Sequence, residues 1–87
     1  MNPPTLLNSV RLPARLDSNQ TAEVLGVHLH DIAVLIGAHL LKPIGTPAPN
    51  GPKFFAAVDV EKLAQDRQWL DRAQRAIQTR WKIKNEE

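Results

Sequence analysis

The chain has 87 residues, no cysteine and a formal net charge of +2. This length allows one small domain, and the lack of cysteine excludes disulfide bonds, zinc sites with cysteine ligands and thiol catalysis. A scaffold of this size without disulfides depends on good helix packing or on oligomerisation. Dimerisation is therefore a reasonable expectation from the start.

The N-terminal third predicts an arm followed by a short helix. Residues 1–12 include Pro3 and Pro4 and show no hydrophobic periodicity, so we expect an extended or disordered arm. In the following stretch, LDSNQTAEVLG, Asp17 can cap a helix and Gln20 can complete a capping box. Gly26 suits the turn that ends this helix.

The stretch VLGVHLHDIAVLIGAHLL, residues 24–41, predicts a second helix over about 29–38. A core face at helical spacing is expected from Ile32, Leu35, Ile36 and His39. The opposite face is also apolar, which is unusual for an exposed helix; its residues are Leu29, His30, Ala33, Val34 and Gly37. Asp31 and three histidines make the stretch too costly for a membrane span, so we expect a cytoplasmic protein without a membrane partner.

The C-terminal half predicts a β-hairpin and one long helix. The hairpin arms are residues 41–44 and 53–58, joined by the turn-rich GTPAPNGP, and Pro43 makes the first arm an edge strand. Asp59 is expected to cap a helix over residues 60–83. Such a helix is roughly 35 Å long, so its end should project from a domain of this size.

The three histidines do not predict a metal site. On a helix, His28 and His39 lie ~16 Å apart along the axis, and His30 points elsewhere. We expect His28 to cap the second helix and His39 to lie near its last turn, where the helix dipole favours an imidazolium. Neither a nucleophile elbow nor a phosphate loop or dinucleotide fingerprint is present. The sequence therefore predicts no enzyme, no cofactor and no small-molecule substrate.

The order of elements is that of a winged helix-turn-helix: short helix, tight turn at Gly26 and Val27, second helix, hairpin, third helix. The stretches LDSNQTAEVLGV, HLHDIAVLI, LLKPIG and VDVEKLA resemble the N-terminal DNA-binding domain of MerR-type regulators and related phage excisionases. The resemblance covers about residues 15–66. It implies a mainly α fold with a small β-hairpin, a winged helix-turn-helix with a long C-terminal helix.

The resemblance also implies a domain plan and a function. The arm of residues 1–12 precedes a winged domain over 13–70, and residues 71–87 form the projecting helix end and tail. In the family, the second helix enters the major groove of DNA, and a helix after the domain forms a dimer. By resemblance we expect a homodimer here, with a stripe of apolar side chains as its contact: Leu70, Ala73, Ile77 and Trp81. The alternative is that Trp69 and Trp81 close the core of a monomer.

Two functions remain open. The first is a DNA-binding regulator or architectural factor that relies on phosphate contacts, since residues 72–84 contain five basic residues and no acid. The outward face of the second helix offers no arginine for a bidentate contact to guanine. Candidate contacts are His28, His30, Lys42, Lys53, Arg72, Arg75, Arg80 and Lys82. The alternative is protein–protein interaction through the apolar positions Leu29, Ala33 and Val34.

Overall fold

The structure, a computed structural model, describes the backbone of residues 12–86 and the side chains of residues 12–83. The predicted N-terminal arm lies outside these residues except for its last position. Within the described part, no helix is both long and apolar enough to cross a membrane. The elements follow in the order β1 (Arg15–Asp17), α1 (Ser18–Leu25), α2 (Leu29–Gly37), β2 (Phe54–Ala56), α3 (Ala57–Ala64) and α4 (Arg67–Glu86).

The predicted first helix is confirmed at both ends. A carboxylate oxygen of Asp17 accepts the Gln20 backbone N–H at 2.8 Å, and the Gln20 side chain accepts the Asp17 N–H at 2.9 Å. This reciprocal pair is the predicted capping box. At the other end Gly26 adopts φ +72°, and the Val27 N–H bonds the Ala22 carbonyl at 3.0 Å. The left-handed glycine closes the helix and sends the chain towards α2.

α2 ends in the same type of turn, built on a histidine. His39 adopts φ +61° and donates its N–H to Ile36, while the Leu40 N–H bonds the Leu35 carbonyl at 2.9 Å. His39 therefore lies beyond the helix, which ends at Gly37, and its side chain is exposed. The prediction that His39 shares the core face of the helix is wrong, because the left-handed turn directs the chain away from that face.

The two strands do not form the predicted hairpin. β2 pairs antiparallel with β1, and Leu16 lies opposite Phe55. Both side chains are fully buried, so the pairing brings two large core residues together. Residues 41–44 form no strand, although the Ile44 N–H donates to the Phe54 carbonyl at 2.9 Å. Pro43 lacks a donor, which weakens that segment as a partner for β2.

The predicted single helix over residues 60–83 is also wrong, because the chain breaks at Gln65 and Asp66. Asp59 lies inside the first turn of α3, whose N-cap is Ala56. Asp66 caps the long C-terminal helix α4 instead, accepting the Trp69 backbone N–H at 3.1 Å. The break lets α4 take its own direction across the domain.

The fold is thus mainly helical with a small two-stranded antiparallel sheet. α1 packs against both α2 and α3, and α4 packs against α2 and α3. One face of α4 completes the core through Trp69, Ala73 and Ile77. The remaining core residues come from the strands, the other helices and Leu41, and they are Leu16, Ala22, Leu25, Ile32, Leu35, Phe55, Ala57 and Val60.

Candidate functional site

The outward face of α2 is the surface on which both predicted functions depend. Ile32 and Leu35 are buried on the inner side of this helix, as the periodicity predicts. The outward positions are exposed, with Leu29 50% exposed, and they comprise Leu29, His30, Ala33 and Gly37. This face therefore presents small and apolar side chains together with one imidazole.

A buried carboxylate organises the start of α2. Asp31 is 3% exposed, and one of its oxygens accepts the backbone N–H of His28, the N-cap residue, at 3.1 Å. Its other oxygen lies 3.5 Å from Nε2 of His30, a contact that is ionic when the imidazole carries a proton. An anion approaching the start of the helix meets this negative charge, so the N-terminus of α2 is a poor phosphate site.

His30 joins α2 to the end of α4. Its ring stacks on the His28 ring at 5.3 Å between centroids, with 8° between the planes. On the other side it meets the Trp81 indole edge-on, again at 5.3 Å and at 76°. The C-terminal turns of α4 therefore lie beside the outward face of α2.

A solvent-open cavity of about 600 Å³ lies between the two helices at this place. We call it the α2–α4 groove; its lining residues are His30, Ala33, Val34, Gly37, Arg80 and Trp81. Ala33 and Gly37 lie one turn apart on α2, and this pair of small residues is the signal that the sequence carried for a groove. The contribution of Arg80 and Trp81 depends on how α4 crosses α2, which no local pattern encodes.

The predicted basic contacts do not form one surface. Lys53 folds back on its own loop, where its ammonium donates to the carbonyls of Pro49 and Gly51 at 3.3 and 3.4 Å. Lys42 is exposed in a depression beside α3. Arg80 is the predicted cation that the structure brings next to His30, in the α2–α4 groove.

The other predicted contacts on α4, Arg72, Arg75 and Lys82, do not line the α2–α4 groove. Arg72 and Arg75 line a shallow groove whose residues all belong to α4, and Arg75 pairs with Asp71 at 3.0 Å. Lys82 is exposed, two residues beyond Arg80 on the helix. Because successive residues of an α-helix are about 100° apart around its axis, Arg80 lies on a different side of α4 from Arg72, Arg75 and Lys82.

The predicted dimer stripe is divided in the same way. Ala73 and Ile77 are buried in the core of their own chain, at 4% and 8% exposure. Leu70 and Trp81 are 36% and 40% exposed, and Trp81 contacts His30. Trp69 is buried, so the alternative that it closes the core of the chain is confirmed for this residue.

The three positions predicted for protein interaction differ in their exposure. Leu29 and Ala33 are exposed, whereas Val34 is half-buried and lines the α2–α4 groove.

Within the described residues, no three histidine, aspartate or glutamate side chains are grouped so as to hold a metal ion. Comparison of the chain with family models, with curated proteins and with solved structures finds no match.

Proposed function

We propose that this chain is a winged helix-turn-helix protein that binds duplex DNA mainly through phosphate contacts. The observation that carries the proposal is the outward face of α2, which is exposed and has the Arg80 guanidinium beside it. α1 and α2 are joined by the short turn of residues 26–28 and pack on each other, and α3 packs across α1. In this proposal, the loop between α2 and β2 would act as the wing.

The dimensions of α2 support this function. Its nine residues are about 13 Å long, and the major groove of B-DNA is about 12 Å wide. Arg80, and Lys42 after the end of α2, would then meet backbone phosphates at the groove edges.

Such a protein reads sequence weakly. Leu29 and Ala33 offer no hydrogen bond, although the Ala33 methyl can contact a thymine methyl. His30 carries the one polar side chain on the outward face, and its Nε2 lies near Asp31. Affinity would therefore come from phosphate contacts and depend steeply on salt.

The test is fluorescence anisotropy of a random-sequence duplex at about 50 and 200 mM salt. We expect binding at the lower concentration and a large loss at the higher one. Arg80→Gln should weaken binding and reduce the salt slope. Arg75→Gln is the matched control, because Arg75 pairs with Asp71 away from α2. Absence of binding at the lower salt concentration rejects the proposal.

A second candidate is a protein-interaction module that uses the same helix. The observation in its favour is Leu29, which is 50% exposed next to other apolar residues on α2, since exposed apolar patches mark contact surfaces. Leu29→Lys should abolish cross-linking to a partner protein in cell extract. Val58→Lys is the control, because Val58 is an equally apolar residue, 63% exposed, on α3. If both variants lose cross-linking equally, α2 does not carry a specific contact surface.

A further inference from the structure

We infer that the depression beside α3 is a binding site for one phosphate group, held by His39, Lys42 and Lys62. The inference rests on the proposed function and deepens it, because it assigns a subsite for a backbone phosphate of the duplex. Three observations carry it: the three side chains line one depression, they have no partner in the described part of the chain, and the depression begins just beyond the end of α2.

The fold brings these side chains together from two separate segments. His39 and Lys42 belong to the turn after α2, whereas Lys62 lies in α3, and all three line the same depression. The Ile44 N–H donates to the Phe54 carbonyl at 2.9 Å, which holds the segment after α2 against β2, and α3 follows β2 directly. The depression measures about 320 Å³ and is open to solvent, so a phosphate that belongs to a longer chain can enter it.

The three side chains are available to an anion. Within residues 12–83, the side chains of His39, Lys42 and Lys62 are exposed and make no ion pair or hydrogen bond. Lys53 differs, because carbonyls of its own loop already bind its ammonium. A lysine ammonium attracts phosphate oxygens as a point charge, and an imidazole N–H donates to them whether or not the ring is protonated.

His39 keeps an imidazole at a position where glycine fits the backbone better. Its φ of +61° lies in the left-handed region, which glycine adopts at no steric cost. Side chains held in such conformations cluster at ligand-binding sites. Binding of a phosphate accounts for a histidine at this turn, whose ring makes no ion pair or hydrogen bond within the described residues.

The depression lies where the proposed complex has a phosphate. Because α2 is about as long as the major groove is wide, the residues just beyond its end meet the backbone at the groove edge. His39 is two residues beyond Gly37, the last residue of α2, so their Cα atoms are at most about 7.6 Å apart. A phosphate bound there is adjacent to Lys42 and Lys62 as well, since both line the same depression.

Duplex binding by the full chain tests the subsite, read by fluorescence anisotropy at about 50 mM salt and above. Lys62→Gln should weaken binding by about three- to tenfold and lower the slope of log affinity against log salt by about one. Lys53→Gln is the matched control and should bind as the natural chain does, because Lys53 is held by its own loop. Asp59→Asn should strengthen binding, because it removes a carboxylate that lines the depression.

Two variants of His39 separate binding from stability. His39→Gly and His39→Ala both remove the imidazole, so each should weaken duplex binding by about threefold. Only glycine relieves the left-handed turn, so the more stable variant should still bind less well than the natural chain. If His39→Gly binds as the natural chain does, His39 does not contact the phosphate.

Inorganic phosphate distinguishes failure of this subsite from failure of DNA binding. In NMR spectra of the full ¹⁵N-labelled chain, phosphate at constant ionic strength should shift the His39 and Lys42 amides saturably, with the hydrogen-bonded Trp69 indole unchanged. Such shifts in a chain that binds no duplex would assign the site to free phosphate. The inference is overturned if Lys62→Gln binds duplex as tightly as Lys53→Gln does, which leaves the proposed function standing. In a chain that binds no duplex, an absence of the phosphate shifts overturns both.

Discussion

Trp69 donates its indole N–H to the backbone carbonyl of Leu40 at 2.7 Å, across 29 residues of sequence. Leu40 is the residue that completes the turn at the end of α2, where its own N–H bonds the Leu35 carbonyl. The backbone N–H and carbonyl of Leu40 are thus both hydrogen-bonded, the N–H to α2 and the carbonyl to α4. This bond holds the start of α4 against the end of α2, and so helps to set the course of α4 towards the α2–α4 groove.

Because of its hydrogen bond to Leu40, Trp69 should contribute more than Trp81 to the free energy of unfolding. Trp69→Phe keeps an aromatic ring in the core but leaves the Leu40 carbonyl without its donor, so we expect a loss of about 1–3 kcal/mol in the free energy of unfolding. Urea denaturation followed by circular dichroism measures it. Trp81→Phe is the control and should lose less, since Trp81 is 40% exposed. An equal loss in both variants contradicts this role for Trp69.

His39 occupies a backbone conformation that favours glycine. Its φ of +61° costs a residue with a Cβ atom about 1 kcal/mol, so His39→Gly should stabilise the chain by about that amount. The same denaturation experiment detects the gain. His39→Ala retains a Cβ atom and should give no gain. If alanine stabilises as much as glycine, the left-handed turn is not the cause.

Substitutions of the two candidate N-caps, Asp59 and Asp66, distinguish the predicted single helix from the observed pair of helices α3 and α4. Asp66→Ala removes the side-chain bond to the Trp69 N–H and should cost about 1 kcal/mol in unfolding free energy. Asp59 lies in the first turn of α3 and is not its N-cap, so Asp59→Ala loses a dipole interaction of only about 0.3 kcal/mol. The reverse order of effects would favour a single helix capped by Asp59.

The homodimer expected from the resemblance can be tested on α4. Because Ala73 and Ile77 are buried in their own chain, a contact between two copies would use Leu70 and Trp81. Leu70→Lys should convert a dimer into a folded monomer, as read from mass by light scattering and helix content by circular dichroism. Ile77→Lys should unfold the chain, because it places a charge in the core. A monomer mass for the natural chain contradicts the dimer.

Local chemistry explains which elements were predictable. The capping box of Asp17 and Gln20 and the glycine turn at Gly26 involve residues at most five positions apart, so their spacing in sequence largely fixes their geometry in space. The same holds for the inner face of α2, where Ile32 and Leu35 repeat at helical spacing. These features need no knowledge of distant partners.

The incorrect predictions have two causes. Some involve residues that pair although they are far apart in sequence, and others involve hydrophobic spacing that fits more than one structure. Leu16 and Phe55 come together from opposite halves of the chain, and nothing in the 53–58 segment favours residues 15–17 over the nearer 41–44. The break at residues 65–66 is invisible because the seven-residue spacing of Leu63, Leu70 and Ile77 continues across it. Only the packing of α4 shows that the helices on either side of the break are separate.

The sequence by itself determined the first two helices, the helical character of the C-terminal region, the caps of α1 and the apolar outward face of α2, because these follow from hydrogen bonds and periodicity within a few residues. Tertiary structure decided which of the cations meets α2. Arg72, Arg75, Arg80 and Lys82 are equivalent in a charge count, but helical spacing puts Arg72, Arg75 and Lys82 on one side of α4 and Arg80 on another. The crossing of α4 over α2, held by Trp69 and Leu40, selects Arg80 and creates the groove beside it.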